Sequence, residues 1–402
     1  MTAAEMVPLL GLLGGLGIGL VAQKTGFCTR GAISDVVFDG DTGRLRAWFV
    51  AIAVALIGAQ ILHAVTITVT DDFGEAITRP IVDLADSIYR TSTFAWLSYF
   101  VGGTLFGIGM SLGTGCGNKI LLRVGGGNLR ALVVLMVMAI TAAATLWGFL
   151  GVHLRVPLES TAVELEAYGM NSQAAHVVLA HWLGMSEEVL RWVLTGLVGG
   201  GLILYAFLAP EFRKRPDNVV SGFLIGLFIV FGWWVTGYYG VVNADPLGGI
   251  EPTTAASYTF TAPLGESLRY LMLTSAYSVN FGIAAVVGVV LGAFIWSVVS
   301  GKFRWEYFTS LQDMANHVIG GALMGVGGVL ALGCTFGQGI TGISTLSLGS
   351  FIALAGIFFG SVLTMKVEFY KMVHGKDTNW FKSLVESLAD MRLLPDRVRM
   401  LD

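Results

Sequence analysis

The stretch "GGTLFGIGMSLGTGCG" (residues 102–117) returns later in the chain as "GGALMGVGGVLALGCT" (residues 320–335). The two copies align without a gap at a shift of 218 residues, and eight of the first fifteen positions are identical. The identical pairs are Gly102 and Gly320, Gly103 and Gly321, Leu105 and Leu323, Gly107 and Gly325, Gly109 and Gly327, Leu112 and Leu330, Gly115 and Gly333, and Cys116 and Cys334. The chain therefore contains an internal repeat, and each copy leads to a glycine followed by a cysteine.

The composition is that of an integral membrane protein. Of the 402 residues, 54% are hydrophobic and only 13% are charged, whereas soluble proteins average about 25% charged residues. Nine apolar runs approach or exceed the length that a helix needs to cross the hydrocarbon core. They lie near residues 6–22, 47–69, 94–112, 129–151, 189–209, 219–239, 272–299, 316–333 and 348–366. The net charge of −3 and the lack of a basic patch rich in aromatic residues argue against nucleic acid as a partner.

A second, weaker match sets "GLLGGLGIGLVAQKTGFC" (residues 11–28) beside "GFLIGLFIVFGWWVTGYY" (residues 222–239), in the same order as the first match. Each half holds four apolar runs, and one further run near 189–209 lies between them. Because this single run crosses the membrane once, the second half should enter the membrane in the opposite orientation. Inverted repeats of this kind build transporters whose substrate site lies near the midplane, between interrupted helices.

The predicted fold class is an all-α integral membrane protein with about nine transmembrane helices in an inverted repeat that contains re-entrant or broken helices. The predicted segments are a first repeat half (1–151), an outer loop with a connecting helix (152–210), a second, inverted half (211–366) and a cytoplasmic tail (367–402). Lysine and arginine concentrate in alternate loops, and the positive-inside bias makes these loops cytoplasmic. The amino terminus is then outside and the carboxy terminus inside. The start "MTAAEMVPLL" has no basic residue, so the first run is kept as a helix and not assigned to a signal peptide.

The cysteine of each repeated stretch stands where an apolar run stops. Gly115, Cys116 and Gly117 belong to "GTGCGN", and Gly333 and Cys334 belong to "LGCTFGQG". Most of the glycines suit close helix packing, but packing alone does not explain a cysteine at both places. The pattern indicates helices that break inside the membrane, where irregular backbone is tolerated only if it is buried in protein or lines a wet cavity.

The chain has three cysteines, Cys28, Cys116 and Cys334, and none belongs to a CxxC pair. A buried cysteine can be a simple packing residue, and a disulfide would leave one of the three unpaired. No histidine stands at a metal-ligand spacing from them, so neither a metal nor a cofactor is expected. His176 and His181 fall in the predicted outer loop, where solvation or helix capping is expected. A reactive thiolate would need nearby cations. Lys119 and Arg123 stand near Cys116 in the sequence, but they are interpreted first as basic residues of a cytoplasmic loop that set the membrane topology.

At "GFCTRG" and the two glycine-cysteine segments, the chain resembles the YeeE/YedE family of membrane proteins, the thiosulfate transporters. The resemblance runs from about residue 6 to residue 366. It implies uptake of thiosulfate across the bacterial inner membrane, a compact, hourglass-like helical fold with re-entrant hairpins, and a pathway that includes Cys28, Cys116 and Cys334. It also suggests a cytoplasmic sulfur-carrier protein of the TusA type as a partner.

Thiols suit a dianion with a soft sulfur, because a neutral S–H group is a weak donor that adds no like charge. Helix amino termini would add partial positive charge along the route. Asn118 and Gln338 stand near the cysteines and would either donate to the ion or cap the broken helices. Two alternatives stay open: a membrane sulfurtransferase that forms a persulfide on Cys28, and a transporter of another sulfur or selenium oxyanion.

Overall fold

The computed structural model describes residues 3–70, 76–243, 253–374 and 379–395. Helices dominate these ranges, and the only strands within them form two small antiparallel pairs: β1 (Thr66–Thr70) with β2 (Ala76–Pro80), and β3 (Thr93–Phe94) with β4 (Val163–Glu164). The all-α fold class predicted from the sequence is confirmed.

The helices are described here in chain order. They are α1 (Ala3–Thr25), α2 (Thr29–Ser34), α3 (Gly43–Ala64), α4 (Trp96–Leu112), α5 (Gly117–Gly125), α6 (Leu129–Trp147), α7 (Val156–Glu159), α8 (Ala175–Leu183), α9 (Glu187–Thr195), α10 (Gly201–Leu208), α11 (Pro210–Arg213), α12 (Pro216–Trp234), α13 (Gly240–Val242), α14 (Thr261–Met272), α15 (Phe281–Val299), α16 (Leu311–Leu330), α17 (Leu348–His374) and α18 (Trp380–Asp390). Turns of π-helix span Asp35–Asp39, Gly151–Arg155, Gly196–Gly200, Val235–Tyr239 and Gly337–Gly342, and short 3₁₀-helices span Leu84–Asp86 and Leu165–Tyr168.

Each of the nine apolar runs coincides with a helix or with a continuous pair of helices. Seven helical segments in the described ranges are long and apolar enough to cross a membrane. The other two predicted spans are α4 and α16, which carry the repeated stretch. Helix α4 has only 17 residues, and α16 opens with the polar sequence "LQDMANH". Each is followed by a break and a second helical piece, as a re-entrant or broken helix requires.

Two predicted boundaries differ from the structure. The run near 272–299 becomes a helix only at Phe281, because Asn280 caps α15 by accepting the Ile283 amide at 2.9 Å. The run near 47–69 leaves the helix after Ala64, since "TITVT" (66–70) alternates β-branched residues and pairs as strand β1 instead.

Neighbouring helices come from opposite halves of the chain. The main packed pairs are α1 with α15, α3 with α12, α4 with α17, and α6 with α16. Glycines let these backbones approach closely: a Cβ built on Gly15 would lie 2.4 Å from the Ala285 carbonyl oxygen, and one on its repeat equivalent Gly226 would lie 2.8 Å from that of Ala51. The two halves are therefore interlocked around one core.

Helices α4 and α16 cross each other in opposite directions through their shared glycines. A Cβ on Gly102 would lie 2.8 Å from the Gly327 carbonyl oxygen, and one on Gly109 would lie 2.6 Å from that of Gly320. Because Gly102 corresponds to Gly320 and Gly109 to Gly327, exchanging the two halves maps this contact onto itself. Such a contact is that of two repeats related by a two-fold axis.

Candidate functional site

Both repeated helices break in the same backbone conformation. Thr114 has φ of 57° and Leu332 has φ of 58°, and the two residues are equivalent at the repeat shift of 218 residues. The left-handed region is unfavourable for residues other than glycine and persists only where the surrounding structure holds it. The repeat therefore preserves a turn geometry, although the residues in it differ.

The same hydrogen bonds close both turns. The Gly115 amide donates to the Met110 carbonyl at 3.0 Å, and the Gly333 amide donates to the Gly328 carbonyl at 2.7 Å. This bond from the third residue after the helix to its third-last carbonyl is the Schellman arrangement. The glycines predicted at the site thus end the helices and turn the chain toward the cysteines.

Each of the three cysteines begins a helical segment. Their carbonyls accept amides four residues on: Ile120 to Cys116 at 2.9 Å, Gln338 to Cys334 at 2.7 Å, and Ala32 to Cys28 at 3.0 Å. The sulfurs of Cys28 and Cys334 also accept an amide of the first turn, from Gly31 and Gly337, each at 3.5 Å. All three thiols are free and buried. Because first-turn amides lack helical partners, helix amino termini carry partial positive charge, and here they do so beside each thiol.

The three cysteine turns meet one another. The side chains of Cys28 and Cys116 are neighbours, and Thr335, the residue after Cys334, lies near the Cys116 thiol, although its buried hydroxyl has no hydrogen-bond partner among the described residues. A Cβ on Gly117 would lie 3.7 Å from the Cβ of Cys334. The thiols therefore form one contiguous buried group, with Cys116 between the other two.

The meeting point lies at the middle of a spanning helix. The Cβ position of Gly117 is 3.6 Å from the terminal methyl of Met138, and Met138 is the central residue of α6 (Leu129–Trp147). The Cys116 and Cys334 turns therefore lie level with the middle of α6, and the helices that lead to them come from opposite halves of the chain.

Asn118 and Gln338 have different environments. The Gln338 side-chain amide donates to the Ala331 carbonyl at the end of α16, so it caps the broken helix. Asn118 is fully buried, and neither its amide nitrogen nor its carbonyl oxygen has a protein partner in the described part of the chain. Buried polar groups in proteins are nearly always hydrogen-bonded, so Asn118 is available to water or to an ion beside Cys116.

Several residues around the thiols had no signal in the sequence. The Cβ position of Gly337 lies 2.3 Å from the Thr259 hydroxyl and 3.5 Å from the Tyr89 hydroxyl, which places both hydroxyls on the Cys334 side of the group. Phe336 packs between Phe27 and Phe260, with ring centroids 5.9 Å and 5.3 Å apart. No motif surrounds Tyr89 or Thr259, so only the fold identifies them.

Arg123 braces the first turn. Its guanidinium donates to the Thr114 carbonyl at 3.1 Å and also to the Thr114 hydroxyl. His317 of α16 approaches the same hydroxyl, with Nε2 3.3 Å from Thr114 Oγ1. Arg123 was predicted only as a topology signal, and in the structure it supports the strained residue that precedes Gly115 and Cys116.

The sequence of this chain is similar to those of known transport proteins. A family model described as sulphur transport matches residues 24–363. The thiosulfate transporter TsuA of Escherichia coli (strain K12) is 25% identical over 366 residues, covering 88% of this chain and 92% of that protein. TsuA of Spirochaeta thermophila is 25% identical over 376 residues, covering 87% of this chain and 94% of that protein. A probable transporter of Xylella fastidiosa is 34% identical over 79 residues, or 20% of this chain and 57% of that protein. This multi-pass membrane protein therefore belongs to the sulphur transport family.

Proposed function

We propose that this protein takes up thiosulfate across the bacterial inner membrane along a route that passes Cys334, Cys116 and Cys28. The observation that carries the proposal is the contiguous group of three buried thiols at the middle of the fold. Beside it stands the unpartnered amide of Asn118. The similarity to two thiosulfate transporters over most of the chain supports the choice of ion.

The chemistry of the group suits an intact dianion. Neutral thiols donate weak hydrogen bonds without repelling the ion, and the amino-terminal turns that begin at the cysteines add partial positive charge. Neither feature holds the ion as tightly as a buried arginine would, and conduction needs binding that is weak enough for release. Gly115, Gly117 and Gly333 keep side chains out of the route, while Gln338 holds the α16 end in place.

The orientation follows from the loop charges. We place the amino terminus outside and the carboxy terminus in the cytoplasm, so that Cys28, which follows the end of α1, lies on the cytoplasmic side of the group. A cytoplasmic carrier of the TusA type would then receive the ion near the basic inner loops.

Thiosulfate labelled separately at its two sulfurs tests the proposal. Proteoliposomes that contain only this protein should accumulate both labels in a 1:1 ratio, because transport leaves the sulfur–sulfur bond intact. Accumulation of one label alone, or a mass increase of one sulfur on Cys28, would show sulfur transfer and overturn the proposal. Competition by unlabelled sulfite and selenate in the same assay separates thiosulfate from related oxyanions.

A further inference from the structure

A second polar cavity lies away from the cysteines, at the end of the bundle where α3 stops and α9 starts. Its volume is about 350 Å³, and its polar lining comes from His63, His176, Glu187, Glu188 and Arg191. The position of His176 in the predicted outer loop indicated that it would be solvated or would cap a helix. Instead it is buried, with only 4% of its surface exposed, and it belongs to the wall of this cavity.

Two buried side chains of the cavity have polar atoms without protein partners. Within the described ranges, Nδ1 of His176 and Nε of Arg191 accept or donate no hydrogen bond to the protein, and Arg191 is only 7% exposed. The carboxylate nearest to Arg191 is Glu188, at 3.8 Å, with a side chain that is 78% exposed. An exposed carboxylate at that distance is screened by water and compensates a buried cation poorly.

A second buried guanidinium, that of Arg90, lies near Arg191 on the protein side of the cavity. Arg90 is 5% exposed, and its hydrogen bonds go to two neutral acceptors, the Thr345 carbonyl at 3.0 Å and the Gln60 side-chain oxygen at 3.5 Å. Burial and then the charge of Arg191 lower the pKa of Arg90 to about 9, so it stays charged at neutral pH. A buried cation without an anionic partner is costly, and an anion in the cavity would relieve the repulsion between the two arginines.

The other titratable groups near the cavity do not cancel this charge. Burial and then the neighbouring Arg90 lower the pKa of His176 to about 3, so at neutral pH it is an uncharged hydrogen-bonding group. Glu187 lies at the exposed rim, and Asp83, 43% exposed, faces His63 at 3.9 Å. The acidic groups are thus at the water side and the arginines at the protein side.

The segment that carries Arg90 also reaches the surroundings of the thiol group. Tyr89 precedes Arg90 in the chain, and its hydroxyl is 3.5 Å from the Cβ position of Gly337, in the turn that follows Cys334. Residues 89 and 90 therefore connect the protein side of the cavity with the surroundings of the Cys334 turn.

We propose that this cavity is a capture site for a divalent sulfur oxyanion, held by Arg191 with His176 as a neutral hydrogen-bond partner and with the positive charge of Arg90 on its protein side. The identification of the ion as thiosulfate rests on the proposed function, whereas the negative charge of the ligand follows from the buried arginines. Capture by full charges concentrates the dianion before it is passed to the weaker thiol donors.

Titration calorimetry on the purified full-length protein in lipid nanodiscs, with sodium thiosulfate and separately sodium sulfate, tests this site. Arg191→Gln should weaken binding about tenfold or more, because a charged hydrogen-bond partner is lost. Arg191→Lys keeps the charge but loses the planar, forked guanidinium. Its affinity should therefore lie between those of the wild type and Arg191→Gln, and it is the variant to use if Arg191→Gln does not fold. Arg155→Gln removes an outer-loop arginine that pairs with Glu159, and it should bind as the wild type does.

Cys334→Ala separates the capture site from the transport route. It should keep the wild-type dissociation constant for thiosulfate even though uptake falls. Unchanged binding by both Arg191 variants, loss of binding in Cys334→Ala alone, or no binding by the wild type would overturn the capture site. Arg191-dependent binding by a wild-type protein that carries no thiosulfate would keep the capture site and reject the proposed function.

Discussion

At the scale of single residues, the three thiols share one role and differ in position. All begin helical segments, but the Cys116 turn is the one that neighbours both others: the Cys116 side chain lies beside that of Cys28, and the Cβ position of Gly117 is 3.7 Å from the Cβ of Cys334. Removal of the Cys116 thiol should therefore interrupt the group at the centre, while the loss of Cys334 removes the end that lies beside Tyr89.

Cys116→Ala and Cys334→Ala should each reduce thiosulfate uptake roughly ten- to a hundredfold, because a desolvated ion loses a donor worth about 1.5 to 3 kcal/mol. Serine should recover little, since its donor is shorter in reach. The measurement is initial uptake of labelled thiosulfate into proteoliposomes. Ser221→Ala, which also removes one buried atom but on α12, is the matched control. Normal uptake by both folded cysteine variants would make these residues packing residues.

Asn118→Leu and Gln338→Leu should have opposite effects on stability. Asn118 has no protein partner, so an apolar side chain of similar size should leave the melting temperature unchanged or raise it, while uptake falls. Gln338 holds the Ala331 carbonyl, so its replacement leaves a buried acceptor unpaired and should cost about 1 to 3 kcal/mol. Equal destabilisation by both changes would contradict the different environments described for the two amides.

His176 should make the protein less stable in acid. Its folded-state pKa of about 3 lies below the unfolded value of about 6.5, so the unfolded chain binds the proton more readily. The stability it contributes is fully present above pH 6.5 and is lost as the pH falls toward 3, by at most about 1.4 kcal/mol per pH unit. His176→Gln should flatten the melting temperature between pH 8 and pH 5, with His181→Gln as control. A slope unchanged in His176→Gln would show that His176 is protonated in the folded protein.

At the scale of the elements, the crossing of α4 and α16 positions both cysteine turns. The turns can meet only because glycines let these helices cross at backbone contact. The four interlocked helix pairs then fix where the broken ends lie. The strained turns at Thr114 and Leu332 are held by this packing, since neither residue favours φ > 0 by itself.

Gly109→Val and Gly320→Val should destabilise the protein by similar amounts. The two glycines face each other across the two-fold contact, and a Cβ on Gly320 would lie 2.8 Å from the Gly109 carbonyl oxygen. The melting temperature measured in detergent should fall clearly for both variants, and thiosulfate uptake should fall as well. Gly201→Val is the control, because a Cβ there meets no atom within 4 Å. A loss confined to one of the two would argue against this close contact between α4 and α16.

At the scale of the whole molecule, the helix directions agree with a chain that crosses the membrane in alternation. Helices α1 and α15 run parallel, as do α3 and α12, α4 and α17, and α6 and α16, whereas α4 and α16 are antiparallel. The nine predicted crossings require these relations. Which end of the bundle faces the cytoplasm is set by the loop charges alone.

Tyr168→Cys and Lys214→Cys test this orientation. Both positions are exposed and lie at loops predicted to be on opposite sides, and the three native thiols are buried. A membrane-impermeant maleimide applied to intact cells should label Tyr168→Cys but label Lys214→Cys only after permeabilisation. The wild-type protein, which has only the three native cysteines, shows the background labelling. The reverse pattern would invert the assigned orientation of both termini.

Membrane class, helix positions, the repeat and the broken cysteine turns were predictable, because hydropathy and repeated motifs are properties of neighbouring residues. The capping role of Gln338 and the bracing role of Arg123 depended on the fold. The proximity of Cys28 and Cys116, the place of Tyr89 beside the Cys334 turn, and the cavity that brings the buried Arg191 and His176 together were decided by tertiary structure alone. These contacts join residues far apart in the chain, brought together by helices from opposite halves that pack as one body. A local sequence pattern indicates which residues are buried, but which residues contact one another depends on the packing of the whole core.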